Sequence, residues 1–212
     1  MDDFTLGEPA LVCRWRLAGG ELPLCNRHLR ALGARQVNGT TVPKALVSWA
    51  KQHIEWTLAD GSVEHPDGVL MVVIDKKGRA AMAVGPYEEP KSTSTGALVN
   101  RARAAAREAT STQVSPETLW AFADGAFMYD IASGQRASGA SSLCEDLAKT
   151  LGIPVTRRPG LTEEVMDGRL TPEELFLVSD EHGVLGATGR QGMHLAEGFE
   201  RLFEQARQRN ET

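Results

Sequence analysis

Apolar positions along this chain change rhythm repeatedly, from strand-like runs to helical spacing and back. Ala10-Leu-Val-Cys-Arg-Trp-Arg-Leu17 is rich in strand formers, and Ala18-Gly19-Gly20-Glu21 supplies a turn before Leu22-Pro-Leu24, which predicts a hairpin. Residues 26–35 predict a short helix with Asn26 as its N-cap. Between Val42 and Leu58, the residues Ala45, Leu46, Trp49, Ile54 and Leu58 fall at helical spacing, with Pro43 in the first turn. Gly68-Val-Leu-Met-Val-Val-Ile74 is an apolar run of strand length, and the turn signal Asp75-Lys-Lys-Gly78 leads into a return strand over Ala80–Val84.

Composition then shifts. Gly85 to Pro90 sets two prolines among acidic residues and reads as a linker between two lobes, 1–87 and 88–212. An Ala/Arg-rich helix follows over 96–109. The strands Leu119–Phe122 and Ala126–Tyr129 flank Asp124-Gly125, a strong hairpin signal. A helix over Ser142–Leu151 ends at Gly152, followed by a strand at 153–155, a short helix at Leu161–Met166, a strand at Glu174–Val178 and a closing amphipathic helix over Gly192–Gln208. Helices and strands intermingle without an internal repeat. The expected class is therefore α/β (α+β) in two lobes, with a site in the cleft between them.

Bulk properties narrow the function. At 212 residues, 42% hydrophobic and 24% charged, the chain is ordinary for a globular protein. Its net charge of −5 comes from mixed signs with no basic block, which argues against nucleic acid. No apolar run approaches membrane-span length, and the N-terminus Met1-Asp2-Asp3 is acidic where a signal peptide is basic. Cys13, Cys25 and Cys144 are odd in number and far apart, which fits a reducing cytoplasm and argues against a metal site.

Lys91 is the candidate for chemistry. It follows the Pro-rich turn and precedes a helix, with hydroxyls at Ser92, Thr93, Ser94 and Thr95. Burial there would lower its pKa and free its lone pair for imine formation. Taken alone, a lysine beside Glu88 and Glu89 reads more readily as an ordinary solvated charge.

The order of elements resembles the class IV aminotransferases, the fold-type IV pyridoxal-phosphate enzymes that include D-amino-acid and branched-chain aminotransferases and aminodeoxychorismate lyase. Gly7-Glu8-Pro9 and the Gly19-Gly20 turn are similar to the family's opening strand and turn. His28-Leu-Arg-Ala-Leu32 is similar to its His-x-x-Arg-Leu helix, and Lys91-Ser92 stands where the Schiff-base lysine is found. Leu119–Met128 resembles its Asp-Gly hairpin, while Gly152-Ile-Pro-Val155 and Glu173-Glu-Leu-Phe-Leu-Val-Ser179 resemble its closing strands. The resemblance implies pyridoxal phosphate as cofactor, a small amino-acid, keto-acid or chorismate-type substrate, and a homodimer, for which Trp49, Trp56, Phe127 and Met128 offer apolar surface. It also implies that Leu11, Cys13 and Trp15, on one side of the first strand, wall the pocket, core packing being the alternative.

Departures cluster around the implied cofactor. The family's phosphate arginine is replaced by Ala31, with Arg30 displaced by one position, about 100° around the helix. Gln113 stands nearest to the glutamate that pairs with the pyridine nitrogen, and it cannot stabilise a pyridinium charge. The second phosphate loop reads Gly139-Ala-Ser141-Ser142, with hydroxyls but no cation. Ser179 is followed by Asp180-Glu181, acids where hydroxyls would face a dianion. The expectation is a shortened, divergent member with weak or no cofactor binding. It is either an enzyme using Lys91 as imine-forming or acid/base residue, with or without the cofactor, or a non-catalytic binding protein. Two further segments are weighed beside these. Asp180-Glu181-His182 reads as a polar turn or a metal or acid/base site, and Thr188–Gly192 with Arg190 as a polar loop or an anion site.

Overall fold

The computed structural model describes residues 5–189, 195–198, 200–201 and 204–205. Two sheets organise them. The first has order β1-β4-β5, built from β1 (Pro9–Arg16), β4 (Val69–Asp75) and β5 (Ala80–Gly85), all antiparallel. Along β1 the side chains alternate, with Leu11, Cys13 and Trp15 buried and Val12 and Arg14 exposed, as a one-sided sheet requires. The buried side packs on α1 (Cys25–Ala34) and α2 (Lys44–Gly61) through Leu29, Leu32, Ala50 and Ile54. Between these helices, β2 (Gln36–Val37) and β3 (Thr40–Thr41) form a miniature hairpin that the sequence reading does not contain.

The second sheet has order β10-β9-β6-β7-β8, from β6 (Glu117–Ala123), β7 (Ala126–Tyr129), β8 (Val155–Arg157), β9 (Glu174–Ser179) and β10 (Gly183–Gly186). Only the β7–β8 pair is parallel. One face packs α4 (Gly139–Thr150) over Trp120, Phe127, Tyr129 and Phe176, where the Trp120 and Tyr129 rings stack at 4.4 Å. The other face carries α3 (Thr95–Thr112) and α5 (Leu161–Met166) over Leu119, Ala121, Leu175 and Leu177. With both faces covered, β9 is buried at every residue, so Leu175-Phe-Leu-Val178 reads as a continuous apolar run.

Several expectations are corrected. The Gly19-Gly20 turn closes only an Ala18–Glu21 bridge; Leu22–Leu24 leads into α1, and β1 takes β4 as its partner. Asn26 lies inside α1, whose N-cap position is Leu24. Phe127 and Met128 are core residues, not shared surface, whereas Trp56 is 65% exposed. Part of the predicted Gly192–Gln208 helix, with Arg190 and the loop before it, lies outside the described residues.

Asp75 ends β4 as a hub. Its buried carboxylate accepts the backbone N–H groups of Gly7, Lys77 and Arg79 at 3.0, 2.8 and 2.9 Å, and Arg79 Nε at 2.7 Å. Burial alone would raise its pKa, but these donors outweigh it and hold the carboxyl far below the usual range. A depressed folded pKa gives stability that is present above the unfolded value, about 3.9, and is lost as pH falls through the folded one. Asp75→Asn is therefore expected to flatten the acid limb of the stability profile below about pH 4. Denaturant unfolding along a pH series checks this, and an unchanged limb would refute it.

Candidate functional site

The side of β1 that carries Val12 and Arg14 faces a cleft of about 400 Å³ between the two sheets. Opposite it stand Arg101, Ala105 and Glu108 of α3, Glu117 at the start of β6, and Ser179-Asp180-Glu181 at the end of β9. Leu11, Cys13 and Trp15 point the other way, each no more than 2% exposed, so they are core and not pocket wall. Burial pushes the Cys13 thiol up to about 11 and leaves it inert as a nucleophile.

Charge pairing organises the mouth of this cleft. Arg101 forks onto Glu117 at 3.1 and 2.5 Å, and the same carboxylate accepts Ser179 Oγ at 2.9 Å. Ser179 Oγ in turn accepts the N–H groups of Glu181 and His182. Arg14 approaches Glu181 at 3.7 Å. Burial raises the Glu181 carboxyl and is only partly opposed by Arg14 and Arg101. The neighbouring β10 turn is tied down by His182 Nδ1 and Tyr87 Oη at 3.2 Å, while the Arg16 guanidinium lies 3.2 Å from the centre of the Tyr87 ring.

At the floor of the cleft, Asp180 turns inward. Its Oδ1 accepts the Ala140 N–H at 2.8 Å, so a buried carboxylate occupies the positive first turn of α4. Behind it lies His28, 1% exposed and stacked on Trp15 at 5.0 Å. His28 Nδ1 is 3.7 Å from Asp180 Oδ1, too far for a hydrogen bond, and has no partner among the described residues. Burial lowers its pKa to about 4, against the field of Asp180 and with that of Arg35. The ring is therefore neutral at pH 7. Arg35, 2% exposed, completes the cluster by donating to Val114 O at 3.1 Å and Glu108 Oε1 at 3.4 Å.

The structure divides the residues that the resemblance groups together: Arg30, Gln113 and Ser142 share one pocket, Ser179 lines the inter-sheet cleft, and Lys91 lines neither. Lys91 is exposed and lines none of the clefts described, although Pro90 and Thr93 beside it border a cleft of about 340 Å³ with Arg16, Tyr87 and His182. The buried, activated amine is corrected to a surface charge. Lys91 sits at a bend three residues before Ser94, which caps α3 by accepting the Ala97 N–H. Gln113 is the C-cap of α3 in the left-handed region, with φ 66°. Ser141 Oγ meets Thr118 Oγ1 at 2.7 Å, and Ser142 Oγ donates to Gly139 O at 2.8 Å. Arg30, Gln113 and Ser142 share a different pocket, described below.

Pyridoxal phosphate does not fit the inter-sheet cleft. The helix N–H that would meet a phosphate is taken by Asp180, the arginine position is Ala31, and the serine hydroxyls are bonded within the protein. Sequence reading missed the roles of His28, Arg35, Arg101 and Glu117. The carboxylate at the α4 start was signalled by acids directly after a strand. Among the described residues no group of three or more His, Cys, Asp or Glu side chains can hold a metal, and no helix is long and apolar enough to cross a membrane.

No protein-family model matches the chain. No curated protein matches it either. Solved structures do. A putative branched-chain amino acid aminotransferase from Thermotoga maritima superposes with TM-score 0.63 at 15% identity, over 95% of this chain and 91% of that one. A putative 4-amino-4-deoxychorismate lyase from Legionella pneumophila gives 0.58 at 10% identity, over 97% of each chain. An aminotransferase from Brucella abortus, bound to its cofactor PLP, gives 0.52 at 14% identity, over 97% and 95%. The chain thus has the mixed α/β fold of the fold-type IV aminotransferases.

Proposed function

We propose that this chain is a cofactor-independent protein built on the fold-type IV aminotransferase scaffold, binding a small molecule in the cleft between its two sheets. The observation that carries this reading is the hydrogen bond from the Ala140 N–H to Asp180 Oδ1. A fixed carboxylate at the first turn of α4 satisfies the donor and repels an incoming dianion. Ala31 leaves no guanidinium at that position to offset the repulsion, and Lys91 stands outside the cleft. What remains is an open cleft with paired charges along its mouth and an apolar wall of Val12, Ala104, Ala105 and Pro116, suited to a small ligand that carries both polar and apolar groups. A cofactor-free enzyme is the second reading. It is favoured by Glu181, a half-buried carboxyl with a raised pKa at the cleft wall, which suits a general acid or base.

Titration of the purified protein with pyridoxal phosphate tests the main reading by absorbance. No visible band is expected. Lys91→Ala is expected to leave both the spectrum and the melting temperature unchanged, since Lys91 is exposed. A saturable yellow colour that borohydride removes and Lys91→Ala abolishes would overturn the reading and restore transaminase or lyase chemistry.

A further inference from the structure

A second pocket, of about 520 Å³, lies where α1, the C-terminal end of α3 and the start of α4 meet. Arg27 and Arg30 of α1 and Arg136 of the loop before α4 face it, together with the amides of Gln36 and Gln113 and the Ser142 hydroxyl. Among the described residues no carboxylate lines it. This is unexpected in a chain with net charge −5, where most arginines near a cleft are matched to acids, as Arg101 is to Glu117. Arg27 is held in place by Ser142 Oγ at 3.2 Å and by Asp146 at 2.9 Å on α4. The guanidinium groups of Arg30 and Arg136 have no carboxylate partner among the described residues.

We propose that this pocket binds a small organic polyanion carrying phosphate-type oxyanions. Arginine presents a planar fork that takes such an oxyanion through two parallel hydrogen bonds, and it stays charged at any pH the protein meets. Two forks without a carboxylate partner, Arg30 and Arg136, stand on different walls with the Gln36 and Gln113 amides between them, and Arg27, tied to α4, adds its charge beside them. The volume falls in the range of small-molecule sites, and the wall residues Ala31, Gly33 and Ala34 leave the floor open. Asp180 faces the inter-sheet cleft and is absent from these walls, so the carboxylate that excludes an anion there does not protect this pocket. The inference therefore stands independently of how the first cleft is used.

Isothermal titration of the full-length protein with inorganic pyrophosphate, at fixed ionic strength, tests it. One saturable site per chain is expected, weakening as salt rises. Arg30→Ala with Arg136→Ala should weaken binding by on the order of 100-fold, since each lost charge-assisted bond is worth roughly tenfold or more. Arg103→Ala, on α3 and paired with Glu163 away from the pocket, should leave it unchanged. Should the double variant fold poorly, amide chemical-shift mapping on the unmodified protein decides the matter. Pyrophosphate is then expected to move the signals of Gln36, Gln113 and Ser142. Absence of saturation up to millimolar pyrophosphate, equal affinity in the double variant, or shifts confined to other regions would each overturn the proposal. Binding here without a visible band leaves the cofactor-independent reading intact, so failure of one is distinguishable from failure of the other.

Discussion

Gly139→Ala is expected to destabilise the protein by about 3 kcal/mol, the upper end of what overpacking a closed core costs. A Cβ at this position would stand 2.4 Å from His28 Nδ1, 2.9 Å from Cε1 and 3.2 Å from Cγ. None of these is the free end of a flexible chain. The imidazole is a rigid ring, 1% exposed and stacked on Trp15, and Trp15 is itself 1% exposed, so neither can retreat without disturbing the first core. Gly96→Ala provides the contrast. It sits in the first turn of α3 with nothing within 4 Å of the added methyl, and alanine there should be neutral or stabilise by up to roughly 1 kcal/mol. Denaturant unfolding of both variants checks the pair. A Gly139→Ala protein as stable as the parent would refute the close approach of α4 to α1.

The second large effect is a loss of stability in mild acid. His28 titrates near 4 in the folded protein, because burial disfavours its charged form, against about 6.5 when unfolded. Between those values the unfolded chain binds the extra proton, so stability rises with pH across the window and falls as pH drops from 6.5 to 4. For a fully buried ring the difference amounts to roughly 3 kcal/mol, with no further loss from this residue below pH 4. His182, also lowered to about 4 by burial but half-exposed, adds a smaller contribution in the same direction. His28→Phe keeps a ring against Trp15 while removing the titrating group. Its unfolding free energy should depend less steeply on pH over this range than the parent's. Parallel slopes in the two proteins would show that His28 does not report its burial in this way.

Local structure was legible where one short segment decides it. Asp124-Gly125 marks the β6–β7 hairpin because both residues take the left-handed conformation, φ 52° and 73°, that a tight primed turn needs. Leu161–Met166 forms as predicted, and the apolar run after Gly68 pairs with its return strand across the Asp75–Gly78 turn. Pairing across long separations was not legible. Gly19-Gly20 signals a turn, yet nothing near it says that β1 pairs with a strand more than fifty residues later. The alternation in β1 separates two faces, and burial of Leu11, Cys13 and Trp15 is what their apolarity dictates; the pocket assignment came from the family resemblance and failed.

The site shows the same divide. That the anion-binding features had degraded could be read from Ala31, Ser142 and Asp180 one at a time. That Asp180 itself caps α4 depends on bringing two residues together across forty positions, which no local pattern encodes. Lys91 failed for a different reason. Its sequence context placed it correctly ahead of a helix but carried no information about solvent access, and the fold leaves it exposed at a bend.

The joint between Arg16 and Asp180 also constrains the order in which the molecule is assembled. The Arg16 N–H donates to the Asp180 carbonyl at 3.1 Å, so the last residue of the first strand is tied to the residue just past β9. On a ribosome, β1, β4 and β5 can pair as soon as residue 85 emerges, but this end of the sheet then waits for nearly a hundred more residues. Loop closure over such a separation comes late, and it follows the pairing of β9 with β6, a strand already synthesised when β9 emerges. The two sheets are therefore joined at this point only after the second sheet has received β9, so a chain ending before residue 180 keeps the first sheet but lacks this tie.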